Sequence, residues 1–221
     1  MACVTASSVS GAPRRQVKSP DGRIELGVDL DKAGRLYYHV SRDGKPVLLR
    51  SQLGVRLRDA ADMVEGFSID RCTFDSRCEK WNPVWGEESE ITDSHNEMRV
   101  ALSQKKQAPG RRISVVFRVF NDGIGFRYEF PRQKGLEDFV IDDEVTEFAF
   151  AGCHESWSLP VEGIRFYEGL FRHLPIDSIG WASTPVTIRT AQGLHMALHE
   201  ANLTDYCLLY TSPSPRDYAA S

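Results

Sequence analysis

A chain of 221 residues, 41% hydrophobic and 10% aromatic, is long and apolar enough for one large domain with a packed core. Its 27 Lys and Arg nearly balance 31 Asp and Glu, for a formal net charge of −4, which argues against nucleic acid or an anionic membrane as partner. No apolar run is long enough to span a bilayer as a helix.

Residues 1–17 are Ser/Ala-rich with Arg14 and Arg15, lack the apolar core of a signal peptide, and read as a disordered lead-in. Period-two alternation then begins. Ile24, Leu26, Val28 and Leu30 form one apolar face, Asp31-Lys32-Ala33-Gly34 signals a turn, and Leu36, Tyr38 and Val40 alternate again. Asp43-Gly44 is a strong hairpin turn, followed by Val47 and Leu49, which predicts a three-strand meander. Val55–Arg58 is short and extended.

Residues 58–80 read as loop, anchored by Phe67 and Ile69. Trp81 and Trp85 flank a Pro/Gly-punctuated segment; their rings could stack on sugar, but spacing alone favours a role in covering core. Glu87, Glu88, Glu90 and Asp93 form an acidic run whose spacing fits no EF-hand loop and reads as solvated. Strand signals resume at Met98–Leu102.

The clearest hairpin follows. Ile113, Val115, Phe117 and Val119 share one face, Asn121-Asp122-Gly123 turns, and Phe126, Tyr128 and Phe130 line the return strand. Gly123 and Gly125 sit between strands with no helix after them, so turn chemistry explains them better than a phosphate loop does. Further strands are predicted at Phe139–Ile141, Glu147–Phe150, Val186–Arg189 and Leu194–Leu198, and no segment is a convincing amphipathic helix. The whole predicts an all-β sandwich or barrel.

The last strand carries the sharpest chemical signal. Leu194, Met196 and Leu198 occupy one face, and Glu200 is next on it if the strand continues. A carboxylate on a buried face needs a cation or hydrogen-bond donors. Glu200 is therefore either a metal-ligating or catalytic group or a buried structural carboxylate. The pairs His154-Glu155 and His199-Glu200 combine a base with an acid, as a mutarotase or lyase would use, but strand neighbours point to opposite faces.

Among the cysteines, Cys3, Cys72, Cys78, Cys153 and Cys207, no Cys-x-x-Cys pair exists, which argues against a zinc site. Cys72 and Cys78 read either as a disulfide closing a loop in an oxidising compartment or as two free thiols. From Cys207 the run through Ser212-Pro213-Ser214-Pro215-Arg216-Asp217 looks like translated read-through of a sequencing-library adapter, so residues 207–221 are read as a non-native tail and the chain as a truncated fragment.

Several segments in order resemble the N-terminal domain of glycoside hydrolase family 97. They are Ser19-Pro20-Asp21-Gly22, Pro83-Val84-Trp85-Gly86-Glu87, Asn96-Glu97-Met98 and the run from Phe117 to Phe130. Tyr167-Glu168, Thr184-Pro185-Val186 and the octapeptide His199–Tyr206 complete the set, and the resemblance covers roughly residues 18–206. His95 departs from the pattern, standing where the family has Tyr.

The resemblance implies a large β-sandwich of the supersandwich, galactose-mutarotase-like type, incomplete at its C-terminus. In the family it packs on a (β/α)₈ barrel that holds the catalytic carboxylates of an α-glucosidase or α-galactosidase. It further implies that Glu200 is the one residue this domain lends to an active-site Ca²⁺, that the parent acts on α-linked oligosaccharide, and that it is periplasmic or secreted. The fragment alone is expected to be inactive. The alternatives are a stand-alone carbohydrate-binding module, using Trp81, Trp85 or Trp157, and a mutarotase-like enzyme.

Overall fold

The computed structural model describes residues 15–104, 110–161 and 169–200. Strands β1 (Gln16–Lys18), β2 (Ile24–Leu30), β3 (Leu36–Arg42) and β4 (Lys45–Leu53) form an antiparallel sheet in sequential order. The two predicted turns join them. Gly34 donates its amide to Asp31 at 3.0 Å and adopts φ +75°, while Asp43 and Gly44 adopt φ +50° and +75°, the paired left-handed conformation of a tight hairpin. β1 adds an edge strand on β2 that the sequence reading leaves in the lead-in and its border.

A second antiparallel sheet is β6 (Ser68–Trp81), β7 (Ile91–Gln104), β8 (Arg111–Val119) and β9 (Ile124–Glu129), again in sequential order. One continuous core lies between the two sheets. Leu26, Val28, Tyr38 and Leu53 from the first meet Met98, Val100, Val115 and Phe117 from the second, all buried. Each set holds the alternate positions of its strands, which is why period-two patterning located them. Tyr38 is the hub: its ring lies 6.1 Å from Phe117 and 5.8 Å from Phe126, and its hydroxyl donates to the Glu147 carbonyl at 2.8 Å.

On the opposite face of the second sheet Val116 is fully buried. Its cross-strand neighbours are Arg99 and Arg127, whose guanidiniums converge on Glu129. Their alkyl stems shield the valine while the charged ends stay wet.

The two sheets are tied by a clasp. β5 (Val55–Leu57) pairs with β10 (Ile141–Glu144), and beyond β10 the chain runs back along β4. Val145 donates to Gly54, Glu147 to Gln52, and the Leu49 amide to Ala149 at 2.7 Å. The stretch expected as a strand at Glu147–Phe150 is this strip, which makes hydrogen bonds and one isolated bridge to β4 without forming a strand of its own; the one at Phe139–Ile141 begins two residues later, at Ile141.

One reading is corrected here and another is decided between its two alternatives. Residues 68–81, read within a loop, form the 14-residue strand β6. It lies at the sheet edge and is exposed along nearly its whole length, so selection for an apolar face is absent and the alternation never develops. Cys72 and Cys78 are both free and stand six residues apart on this one strand. At ~3.3 Å per residue their Cα atoms are roughly 20 Å apart, far beyond disulfide reach.

The third sheet is β11 (Glu155–Pro160), β12 (Arg172–Pro175), β13 (Ala182–Arg189) and β14 (His195–Leu198), in the order β12-β11-β13-β14. One three-residue 3-10 turn, Ile176–Ser178, is the only helical element among the described residues. The expected all-β architecture of antiparallel sheets is what the chain adopts.

Candidate functional site

β13 and β14 bring the sharpest sequence signal into focus. Val186 pairs with Leu198 and Ile188 with Met196. Val186 and Ile188 are buried, Met196 and Leu198 are half-buried, and the intervening His195 and Ala197 are exposed. Continuing the register by two residues sets Thr184 opposite Glu200. The Thr184 hydroxyl donates to Glu200 Oε2, a side-chain contact made across the strand pair. Glu200 is half-buried while His199 is exposed. The face deduced from Leu194, Met196 and Leu198 is therefore the face Glu200 takes.

His199 holds the backbone at the same point. Its Nδ1 lies 2.8 Å from the Glu200 carbonyl oxygen. A carbonyl only accepts, so Nδ1 carries the proton. His199 and Glu200 thus do not form an acid–base pair facing one pocket. The same holds for His154, which is buried against Phe150, and Glu155, which is exposed.

The third sheet's outer face carries a different constellation. Trp157 on β11 stacks on His173 of β12, with ring centroids 4.5 Å apart and planes 1° from parallel. From β13, on the other flank, Arg189 reaches to 5.2 Å from the same indole. Arg189 donates to Glu155, and this contact together with nearby His173 holds the Glu155 carboxyl below its ordinary range. Side chains from both neighbouring strands thus pack against Trp157, which is half-buried.

The remaining aromatics are distributed otherwise than spacing suggests. Trp81, expected over core, is 51% exposed, and Trp85 is 89% exposed. The cause is the length of the β6–β7 hairpin. β8 pairs with β7 only from Asn96 onward, so among the described residues Arg77–Trp81 and Ile91–His95 pair only with each other. They form a two-stranded arm roughly 17 Å long beyond the sheet. Pro83-Val84-Trp85 caps it, and there is no core beneath for the rings to cover.

At the root of the arm, His95 is fully buried on the face opposite the main core. Its Nδ1 meets the Asp93 carboxylate and its ring packs 4.9 Å from Phe120. The acidic residues Glu87, Glu88 and Glu90 are exposed, with Glu90 paired to Lys80 at 2.7 Å.

Ca²⁺ prefers six to eight hard oxygen ligands. Among the described residues no group of three or more His, Cys, Asp or Glu side chains converges. The Glu200 carboxylate is a hard oxygen donor and would fit one place in such a shell, while the Thr184 hydroxyl turns its hydrogen toward that carboxylate; the described residues do not provide the rest of a shell. Sequence reasoning missed Thr184. Its signal is positional: 184 and 200 are mirror positions about the turn between β13 and β14. Tyr167, Glu168 and the octapeptide from Ala201, like the stretch from Cys207 onward, lie outside the described residues.

The described residues are thus all-β, in antiparallel sheets, with the half-buried Glu200 just past the last described strand. The family whose profile matches is described as Glycosyl-hydrolase 97 N-terminal, over residues 17–219. The chain belongs to this family. It is 29% identical over 219 residues to a probable retaining alpha-galactosidase of Streptomyces bingchenggensis, covering 97% of this chain and 30% of that protein. Glycoside hydrolase family 97 structures from Pseudoalteromonas sp. strain K8, in complex with panose and with acarbose, superpose with a TM-score of 0.83 at 34% identity. They match 88% of this chain and 30% of theirs. The chain thus spans about 30% of the length of these relatives.

Proposed function

We propose that this domain is the N-terminal part of a calcium-dependent α-glycosidase, an α-glucosidase or α-galactosidase acting on α-linked oligosaccharide. In this reading the domain caps a (β/α)₈ catalytic barrel, shapes the entrance to it and lends Glu200 to a Ca²⁺ held mainly by the barrel. Bound there, the cation supplies electrostatic stabilisation beside the catalytic carboxylates. Glu200's part is to bring one negatively charged oxygen ligand across the domain boundary. The parent works in the periplasm or outside the cell, and the domain by itself does not hydrolyse glycosides, since the acid and base sit on the barrel.

The observation that carries this reading is Glu200, held on the shielded face of β14 by Thr184, in a chain of this family. The relatives in complex with panose and acarbose support the substrate class. The test is Glu200→Gln in the full-length protein. The amide keeps the shape and loses the charge, so calorimetry should show Ca²⁺ affinity falling by at least about tenfold. Unchanged affinity would refute the assignment.

A carbohydrate-binding module is favoured by one observation, the exposure of Trp81 and Trp85 on the arm. Titrating panose into the isolated chain while following tryptophan emission separates the readings, because only a module gives a saturable response.

A further inference from the structure

We infer that Thr184 is the positioning residue for Glu200, the group that sets the carboxylate's direction toward its cation. The inference rests on the reading of Glu200 as a metal ligand. Glutamate has three side-chain torsions, and a carboxylate at the edge of a sheet samples several of them unless something fixes it. Among the described residues β14 pairs with β13 alone, and Glu200 lies two residues past its last paired residue.

Contacts at both its backbone and its side-chain end restrain it. His199 Nδ1 bonds the Glu200 carbonyl and holds the main chain. The Thr184 hydroxyl bonds Oε2 and holds the end of the side chain. Thr suits this task physically. Its β-branch restricts χ1, so the hydroxyl is aimed in advance, and its place opposite Glu200 in the pairing register brings the two side chains together. A hydroxyl also donates without adding charge, so this contact orients the carboxylate without neutralising it. A lysine or arginine in the same place would neutralise it. One donated bond occupies one of about four lone-pair sites on a carboxylate, so orientation and ligation are compatible.

The test uses calorimetric Ca²⁺ titration of the full-length protein with four variants. Glu200→Gln asks whether Glu200 binds the ion. Thr184→Val keeps the branched shape and removes the hydroxyl, Thr184→Ala removes both, and Thr184→Ser restores the hydroxyl. Oriented ligation predicts about tenfold or greater weakening in Thr184→Val and Thr184→Ala, with Thr184→Ser close to wild type. Melting of the calcium-free proteins should be alike for Val and Ser.

If Glu200→Gln weakens binding and the hydroxyl-free variants do not, the positioning role is overturned while the ligand assignment survives. If Thr184→Ser is as weak as Thr184→Val, side-chain shape rather than the hydroxyl matters, and the inference also falls. If Glu200→Gln leaves affinity unchanged, the underlying reading fails first. Should Thr184→Val fold poorly, the comparison of Ala with Ser decides.

Discussion

Single residues show how much a position's surroundings matter beyond its own torsions. Gly34 and Gly44 both sit at φ +75° in hairpin turns, so alanine at either incurs the left-handed cost of about 1 kcal/mol. Around Gly44 there is open space. At Gly34 an added Cβ would lie 2.7 Å from the backbone N and O of Phe67, which cannot swing aside. Gly34→Ala should therefore lose at least ~2 kcal/mol and Gly44→Ala about half of that or less, measured by urea unfolding. Equal losses would show that Phe67 yields and that the turn conformation alone sets the cost. Glu200 belongs to this scale too. Its face was legible in the sequence because Leu194, Met196 and Leu198 lead straight into it, whereas Thr184 was hidden, since nothing in a sequence marks which threonine stands across a strand pair.

At the scale of elements, legibility followed burial. β2, β3, β8 and β9 were readable because each turns its alternate large apolar residues to the core and mostly polar or small residues the other way, which writes the period into the residue types. β6 was not, since only Ile69 and Cys72 near its start touch the core and the rest of it is exposed. β11 was missed for another reason: its shielded positions are Ser156 and Ser158, buried yet polar, with Ser156 donating to the Leu174 carbonyl at 2.7 Å. A serine that satisfies its own hydrogen bond inside a sheet leaves no hydrophobic trace. The β6–β7 arm supplies a prediction of its own. Trp81 and Trp85 contribute little to the core, so the double change Trp81→Ser with Trp85→Ser should alter folding stability by no more than about 0.5 kcal/mol. A thermal midpoint lowered by more than ~3 °C would mean the arm folds back on the body in solution.

Across the molecule, charge is arranged as scattered pairs, and a few of the carboxylates are stabilised in the ionised form. Asp21 is held low by the Ser19 hydroxyl and the Arg23 amide, Asp43 by Arg23, and Glu155 by Arg189. Burial pushes Glu129 up, but Arg99 and Arg127 outweigh it and hold it low as well. Because these folded-state values lie below those of the unfolded chain, the stability they provide is complete at neutral pH. It is lost as pH falls below the ordinary 4.5 of Glu and 3.8 of Asp toward the depressed folded values. Melting midpoints followed from pH 7 to pH 3 should hold nearly level and then drop below about 4.5, with the drop blunted by Arg99→Met with Arg127→Met. A midpoint that rises on acidification would contradict the sign.

The clasp has a consequence for how the polypeptide reaches this state. The first two sheets are each assembled from neighbours in sequence, so every hairpin in them can zip up from a short loop. The strip against β4 is different: Glu147 accepts from the Gln52 amide across 95 residues of chain. Joining such distant points incurs a large entropic cost until both meanders exist to shorten the path. The order of assembly follows, with two independently nucleated ribbons first and the long-range seam last, when it locks them face to face.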